Sequence, residues 1–226
     1  MTDLGYSAAP DTTPTRRTDR VGYDRDAIHA AIDEAVMCHV GFVVDDRPVV
    51  LPQLHARDGE VLYLHGSSGA RAMRLTRPDG LSVCVTITHI DGLVLARSAF
   101  NHSINYRSVV ILGIATEVTD RVDKAKALQL LVDGIIPGRS PAVRGPSPKE
   151  LAATTVLRLP LDHVSIKTRS GPPADDAADL ELPYWAGVIP LTNLLPGKPE
   201  PDPTLRSDSA PPTHVTGWSR TVQDLP

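Results

Sequence analysis

The chain has little cysteine and little aromatic character: Cys38 and Cys84 are its two thiols, and Phe, Trp and Tyr together make up 4% of its 226 residues. Neither thiol belongs to a Cys-x-x-Cys pair and both lie in apolar runs, so they read as reduced, buried hydrophobes. That excludes a disulfide framework. The formal net charge is -4, with no block of like charges, so neither the basic footprint of a nucleic-acid binder nor a polybasic membrane-surface stretch is present. No apolar run has the length of a spanning helix, and residues 1–20 hold no secretory h-region, so the expected setting is the cytoplasm. A Gly-Lys-Ser/Thr phosphate loop, a dinucleotide glycine pattern and a Gly-x-Ser-x-Gly elbow are also missing. His55, His65, His89 and His102 fall near predicted strand ends without the i, i+4 or short paired spacing of a metal site. Hydrolysis through a covalent intermediate and metal chemistry therefore have no sequence support.

Proline, by contrast, is abundant, and its distribution divides the chain: about half of the 21 prolines fall after Gly171. Residues 1–21 are rich in Thr, Pro, Arg and Asp and bury too little to offset the entropy of ordering, so they are expected to be mobile. Residues 22–170 carry the periodic patterns of one domain. Residues 171–195 include an apolar island from Leu182 to Leu191 that should dock on the domain or on a second copy of the chain. Residues 196–226 are polar and Pro-rich, with Trp218 as the one large anchor, and weak order is expected there.

Within the domain, Asp24 is placed to cap a helix whose Ile28, Ile32, Ala35 and Val36 share a face. The period then becomes that of strands, over residues 38–44, 47–54, 61–65, 81–88, 93–97 and 106–119. Turn signals at Asp45-Asp46, Asp58-Gly59 and Asp91-Gly92 make neighbours antiparallel. Pro48 and Pro52 lack a ladder donor, which puts residues 47–54 at an edge, a bulge or a ligand-facing stretch. A second helix spans about 122–135. A third opens on the capping box Ser147-Pro148-Lys149-Glu150, and strands 155–159 and 163–169 close a small, mainly β barrel with inserted helices.

The run from Val109 to Ala115 reads as a buried strand, preceded by Asn105-Tyr106-Arg107-Ser108, polar residues able to hydrogen-bond a flat heterocycle. Gly66-Ser67-Ser68-Gly69-Ala70-Arg71 offers small residues, two hydroxyls, a helix start and a guanidinium to an anion. A steric strand-to-helix joint accounts for the same residues. Arg107 at a rim salt bridge, Lys167 and Arg169 on a solvated face, and Trp185 as a core or dimer anchor are the corresponding structural readings. An acidic substrate at Lys167 and Arg169 is the functional one.

Taken together, four stretches in order, residues 61–67, 103–110, 167–173 and 185–191, resemble the pyridoxamine 5'-phosphate oxidase-like superfamily of FMN-binding split barrels. The similarity is to its flavin-nucleotide-binding branch, which includes the nitroimidazole-resistance reductases. The resemblance implies an α+β split barrel, a homodimer with FMN at the shared interface, and a small-molecule substrate. By position, Val49, Val50, Leu51 and Pro52 would lie along the isoalloxazine ring. Leu64, His65, Ser67, Ser68 and Arg71 would hold the ribityl phosphate, Arg107 and Ser108 would serve the ring's polar edge, and Trp185 would approach from the other chain. His65 or Tyr106 would be the catalytic proton donor. Gly69-Ala70-Arg71 replaces an Arg-Lys pair of the oxidases, and their Arg-Leu-His-x-Arg stretch is missing, which argues against vitamin B6 oxidation. The expected function is FMN-dependent oxidoreduction through the flavin N5. A non-catalytic flavin store, or heme or deazaflavin binding on the same fold, remains the alternative.

Overall fold

The structure, a computed structural model, describes residues 5–8, 11–13, 15–76, 78–191, 199 and 211–217. Trp218 lies outside the described residues. Chain order is β1 (Val21–Gly22), α1 (Arg25–Glu34), β2 (Met37–Val44), β3 (Arg47–Asp58), β4 (Val61–Ser67), α2 (Arg71–Leu75), β5 (Leu81–Leu95) and β6 (Ser103–Glu117). It continues through α3 (Arg121–Ile135), α4 (Pro148–Ala153), β7 (Thr154–Pro160), β8 (His163–Arg169), β9 (Gly187–Pro190) and α5 (Thr213–Thr216).

The strands pair in the order β1-β8-β6-β7-β4-β3-β2-β5-β9, and β5 also pairs with β6. That last pairing closes β6, β7, β4, β3, β2 and β5 into an antiparallel barrel, with β1 and β8 extending β6 and β9 extending β5. Local chemistry sets the corners. Asp45 and Asp46 both take positive φ, 48° and 58°, the twist a two-residue hairpin needs and one that Asp tolerates. Asp24 accepts a hydrogen bond from the Ala27 amide at 2.8 Å, and Ser147 and Glu150 form the reciprocal capping box of α4.

Inward-facing Val40, Phe42, Leu62, Leu64, Val85, Ile87, Val109, Ile111 and Leu159 build the core, and Ile28 and Ile32 of α1 join the same cluster. Each such side chain contributes about 1.5–3 kcal/mol on burial, so α1 acts as an apolar plug for the barrel. Two expectations change. The stretch from Val109 to Ala115 is not buried on both faces: Val109, Ile111 and Ala115 point inward, while Ile114 is 49% exposed. Both edges of this strand are paired, yet only one of its faces is covered, so its apolar outer face meets solvent in the single chain. Among the described residues of the N-terminal segment, Tyr6 is anchored. The Tyr6 amide donates to the Tyr23 carbonyl at 2.8 Å, its ring packs on the core, and its hydroxyl contacts His29 Nε2 at 2.7 Å and donates to Glu60. One aromatic residue at a barrel end supplies what the composition of residues 1–21 lacks.

Candidate functional site

The barrel splits along β3. Arg47 to Leu54 pair with β2, whereas His55 to Asp58 pair with β4. The far end of β4, His65 to Ser67, pairs with β7 instead. The first half of β3 therefore presents one edge to a cleft, consistent with its two prolines. At the fork Gln53 Nε2 donates to the His65 carbonyl at 3.1 Å. Val50, 62% exposed, and Leu51, 42% exposed, lie along this edge, and Val49 and Pro52 complete it. Four residues expected against a flat ring thus share an open, mostly apolar rim.

The strand-to-helix loop borders the same cleft. The Ser68 amide donates to the Ala153 carbonyl and the Ala70 amide to the Ser67 carbonyl, both at 2.8 Å, and the Gly69 amide reaches Ser67 Oγ at 3.3 Å. A Cβ on Gly66 would sit 2.8 Å from Met73 Cε, so this glycine lets α2 lie close to its strand. Arg71 is exposed and pairs with Asp45 on the β2–β3 turn. That guanidinium stands in solvent beside the cleft and can turn to an anion at the cost of a weak surface pair. Leu64 contributes only backbone here, because its side chain is 1% exposed inside the core.

Arg107 does not face the cleft. Its guanidinium donates to both oxygens of Asp91, at 3.1 and 3.2 Å, and to Glu34 at 2.7 Å, with its side chain 7% exposed. The two carboxylates hold its pKa above the ordinary arginine value against the opposing effect of burial. The strand alternation that buries Val109 also turns Arg107 inward. Arg169 is likewise committed, donating to Asn105, to the Gly171 carbonyl at 3.2 Å and to the Pro172 carbonyl at 3.0 Å. It fastens the start of the C-terminal arm, and no substrate charge is left over from it. Lys167 contacts the Arg16 carbonyl at 3.3 Å.

Ser108 lies on the outer sheet face with its Oγ 3.5 Å from Thr88 Oγ, and Tyr106 sits half-buried opposite Ile90 and Arg169. Trp185, 67% exposed, folds over Gly187, where a Cβ would approach its ring to 2.9 Å. β2 and β5 stand between the β3 edge and β6, a gap of about 14 Å at the usual strand spacing. Ser108 and Tyr106 therefore lie two intervening strands from the rim at Val49 to Pro52 along this side of the sheet.

His65 follows its own direction. Leu64 faces the barrel interior, so the imidazole points out toward α3 with Tyr63. There it lines a cavity of about 650 Å³ walled by Leu54, Leu128, Leu131, Val132 and Ile135, with Val143, Arg144 and Glu150 toward the mouth. Its Nδ1 is buried without a hydrogen-bond partner, and burial pulls its pKa below the ordinary imidazole value. Sequence reading missed Gln53 and this helix-covered cavity. Strand parity carried the one available signal, since an inward Leu64 requires an outward His65. Among the described residues no group of three His, Cys, Asp or Glu converges, and no helix is long and apolar enough to cross a membrane. Both thiols are free, and burial pushes that of Cys38 up to about 12.

A closed antiparallel barrel forked along β3, with a small-residue loop beside the fork, defines the split-barrel class. The family model described as pyridoxamine 5'-phosphate oxidase matches residues 24–168, and the chain belongs to that family. It is similar to the flavocytochrome Anf3 from Azotobacter vinelandii, at 36% identity over 95% of this chain and 99% of that one, with a TM-score of 0.87. It is also similar to an FAD and heme binding protein from Mycobacterium smegmatis, at 34% identity over 89% of this chain and 98% of that one, TM-score 0.84. A 5-nitroimidazole antibiotic resistance protein from Bacteroides thetaiotaomicron, described as putative in its own name, shares the fold at 22% identity over 65% and 85%, TM-score 0.55. No curated protein matches the chain.

Proposed function

We propose that the protein is a homodimeric flavoprotein that also binds heme and acts as an oxidoreductase. The observation that carries the flavin half is the fork in β3, which leaves Val49 to Pro52 as an open apolar rim facing the Ser67 to Arg71 loop. Backbone groups of the rim orient the ring, and Ser67, Ser68 and Arg71 hold the phosphate. Ser108, Tyr106 and Trp185 reach that ring from the second copy, as the family resemblance implies for Trp185. The outer face with Ile114, Ile90 and Val43, each about half exposed or more, supplies the apolar surface for that association.

The sequence resemblance favours FMN, whereas the relative from Mycobacterium smegmatis is named for FAD. Its identity over nearly the whole chain gives FAD the greater weight. The names of both long relatives, one a flavocytochrome, support the heme half, and the cavity beneath α3 with its unpartnered imidazole nitrogen fits such a group. When bound, flavin and heme supply two-electron and one-electron redox chemistry, while the protein supplies orientation and exclusion of water. Tyr106 is the proposed proton donor at the flavin edge. Its free thiols suit a reducing compartment, the cytoplasm.

The visible spectrum of the purified protein tests both halves, with mass analysis of the released flavin separating FMN from FAD. Flavin bands, a heme Soret band and bleaching by a reduced nicotinamide are the expected result. A colourless protein that takes up neither group ends the proposal.

A further inference from the structure

Resting on the heme half of that reading, we infer that His65 would ligate the heme iron and that the cavity beneath α3 would seat the heme. Four observations converge on it. Among the described residues that line this cavity, His65 is the one bearing an imidazole. Leu54, Leu128, Leu131, Val132, Ile135 and Val143 give it a mainly aliphatic wall, the surroundings a macrocycle needs to leave water, with Gln129, Ser140 and Thr154 as polar lining. Its volume of about 650 Å³ lies inside the range of about 300–1,000 Å³ typical of cofactor pockets. Toward the mouth, Arg144 lies in an exposed pair with Glu150 at 2.6 and 2.7 Å, a guanidinium that can leave a weak surface pair for an anionic group.

A neutral imidazole is the form that binds iron. His214, whose Nε2 is also buried without a partner, does not line this cavity, and His102 contacts the Ser98 carbonyl at 2.9 Å. His55 contacts the Ile32 carbonyl at 2.9 Å and His89 the Ala31 carbonyl at 2.8 Å, both under α1. His29 contacts Tyr6 and His163 contacts Asp11. His39 lies exposed on the outer face of β2, and it is the residue that would serve if the heme lay instead along the seam between subunits. The Gln53 bond to the His65 carbonyl ties this residue to the flavin rim, so the two groups would sit on opposite sides of one fork.

Hemin titration of the full-length protein, followed by the Soret band, separates these placements. Wild type should bind hemin with a single-imidazole spectrum. H65A should bind at least tenfold more weakly with a shifted Soret band, and added imidazole should restore the wild-type spectrum. H39A should titrate like wild type. V132W fills the cavity but keeps the imidazole, and should lose hemin while retaining flavin. H65A that binds with an unchanged spectrum, or H39A that alone loses binding, overturns the assignment and leaves the heme reading standing. Should H65A fail to fold, V132W decides: undiminished hemin uptake overturns the assignment, and loss of flavin with hemin retained gives the cavity to the flavin. Wild type that takes up no hemin removes the heme reading and this assignment together.

Discussion

Two helices cover the barrel, and they treat polar groups in opposite ways. α1 seals its end. Ile28, Ala31 and Ile32 are fully buried, the carbonyls of Ala31 and Ile32 at its C-terminus accept from His89 and His55, and Glu34 neutralises Arg107. Carbonyls that a helix end leaves unpaired thus meet imidazoles from the sheet. α3 meets the sheet at Ala127, which packs with Val118 and Val156, and again where a Cβ on Gly134 would lie 3.1 Å from the His55 carbonyl. Between these contacts it roofs the cavity that His65 lines. The α1 side is packed for stability, whereas the α3 side leaves the cavity in which the proposed ligand would sit.

Substitutions can break or sharpen that contrast. The largest effect is expected at Arg107: Arg107→Met removes the buried guanidinium that bridges Glu34 and Asp91 and should cost about 3–5 kcal/mol, read as a drop in urea midpoint. Next, Ile32→Ala under α1 should cost about 2–5 kcal/mol, whereas Val132→Ala, facing the cavity, should cost less than about 1 kcal/mol. Equal costs would erase the distinction between the helices. A smaller effect concerns acid. Burial, and then Arg57, hold the His29 pKa below its ordinary value. As pH falls past about 6.5, the unfolded chain takes up that proton before the folded one, so stability should decline. His29→Gln should flatten the slope of unfolding midpoint against pH between 7.5 and 5.5; an unchanged slope would assign the acid response elsewhere. The smallest effect is expected for Ser147→Ala, which removes the α4 cap at the cavity mouth and should lower the thermal midpoint by the equivalent of about 0.5 kcal/mol.

Much of the barrel was legible because its signals are local. Alternation, the Asp45-Asp46 corner, the Asp24 cap and the capping box at Ser147 each act within a few residues. The edge role of residues 47–54 was legible for the same reason, since a proline cannot donate wherever it sits. What escaped depends on distant partners. Arg107 meets Glu34 from across the chain, and nothing near residue 107 announces that carboxylate. Tyr6 is pinned by Glu60 and His29 in a segment whose composition argues for disorder. The extended strand β5, expected as two strands, stays continuous through an irregularity between Ile90 and Gly92, where the turn signal Asp91-Gly92 makes a bulge instead of a corner. The cavity under α3 depends on how far a helix stands from a sheet, which periodicity does not encode.

One feature of β3 bears on how the protein survives before its ligands arrive. An exposed strand edge ordinarily templates a stranger's strand and seeds fibrils. Pro48 and Pro52 share parity with Val50 along this edge and bring no N–H to it. A foreign backbone laid there would find a single donor in five residues, so the fork can gape for a small flat guest while turning away a polymer.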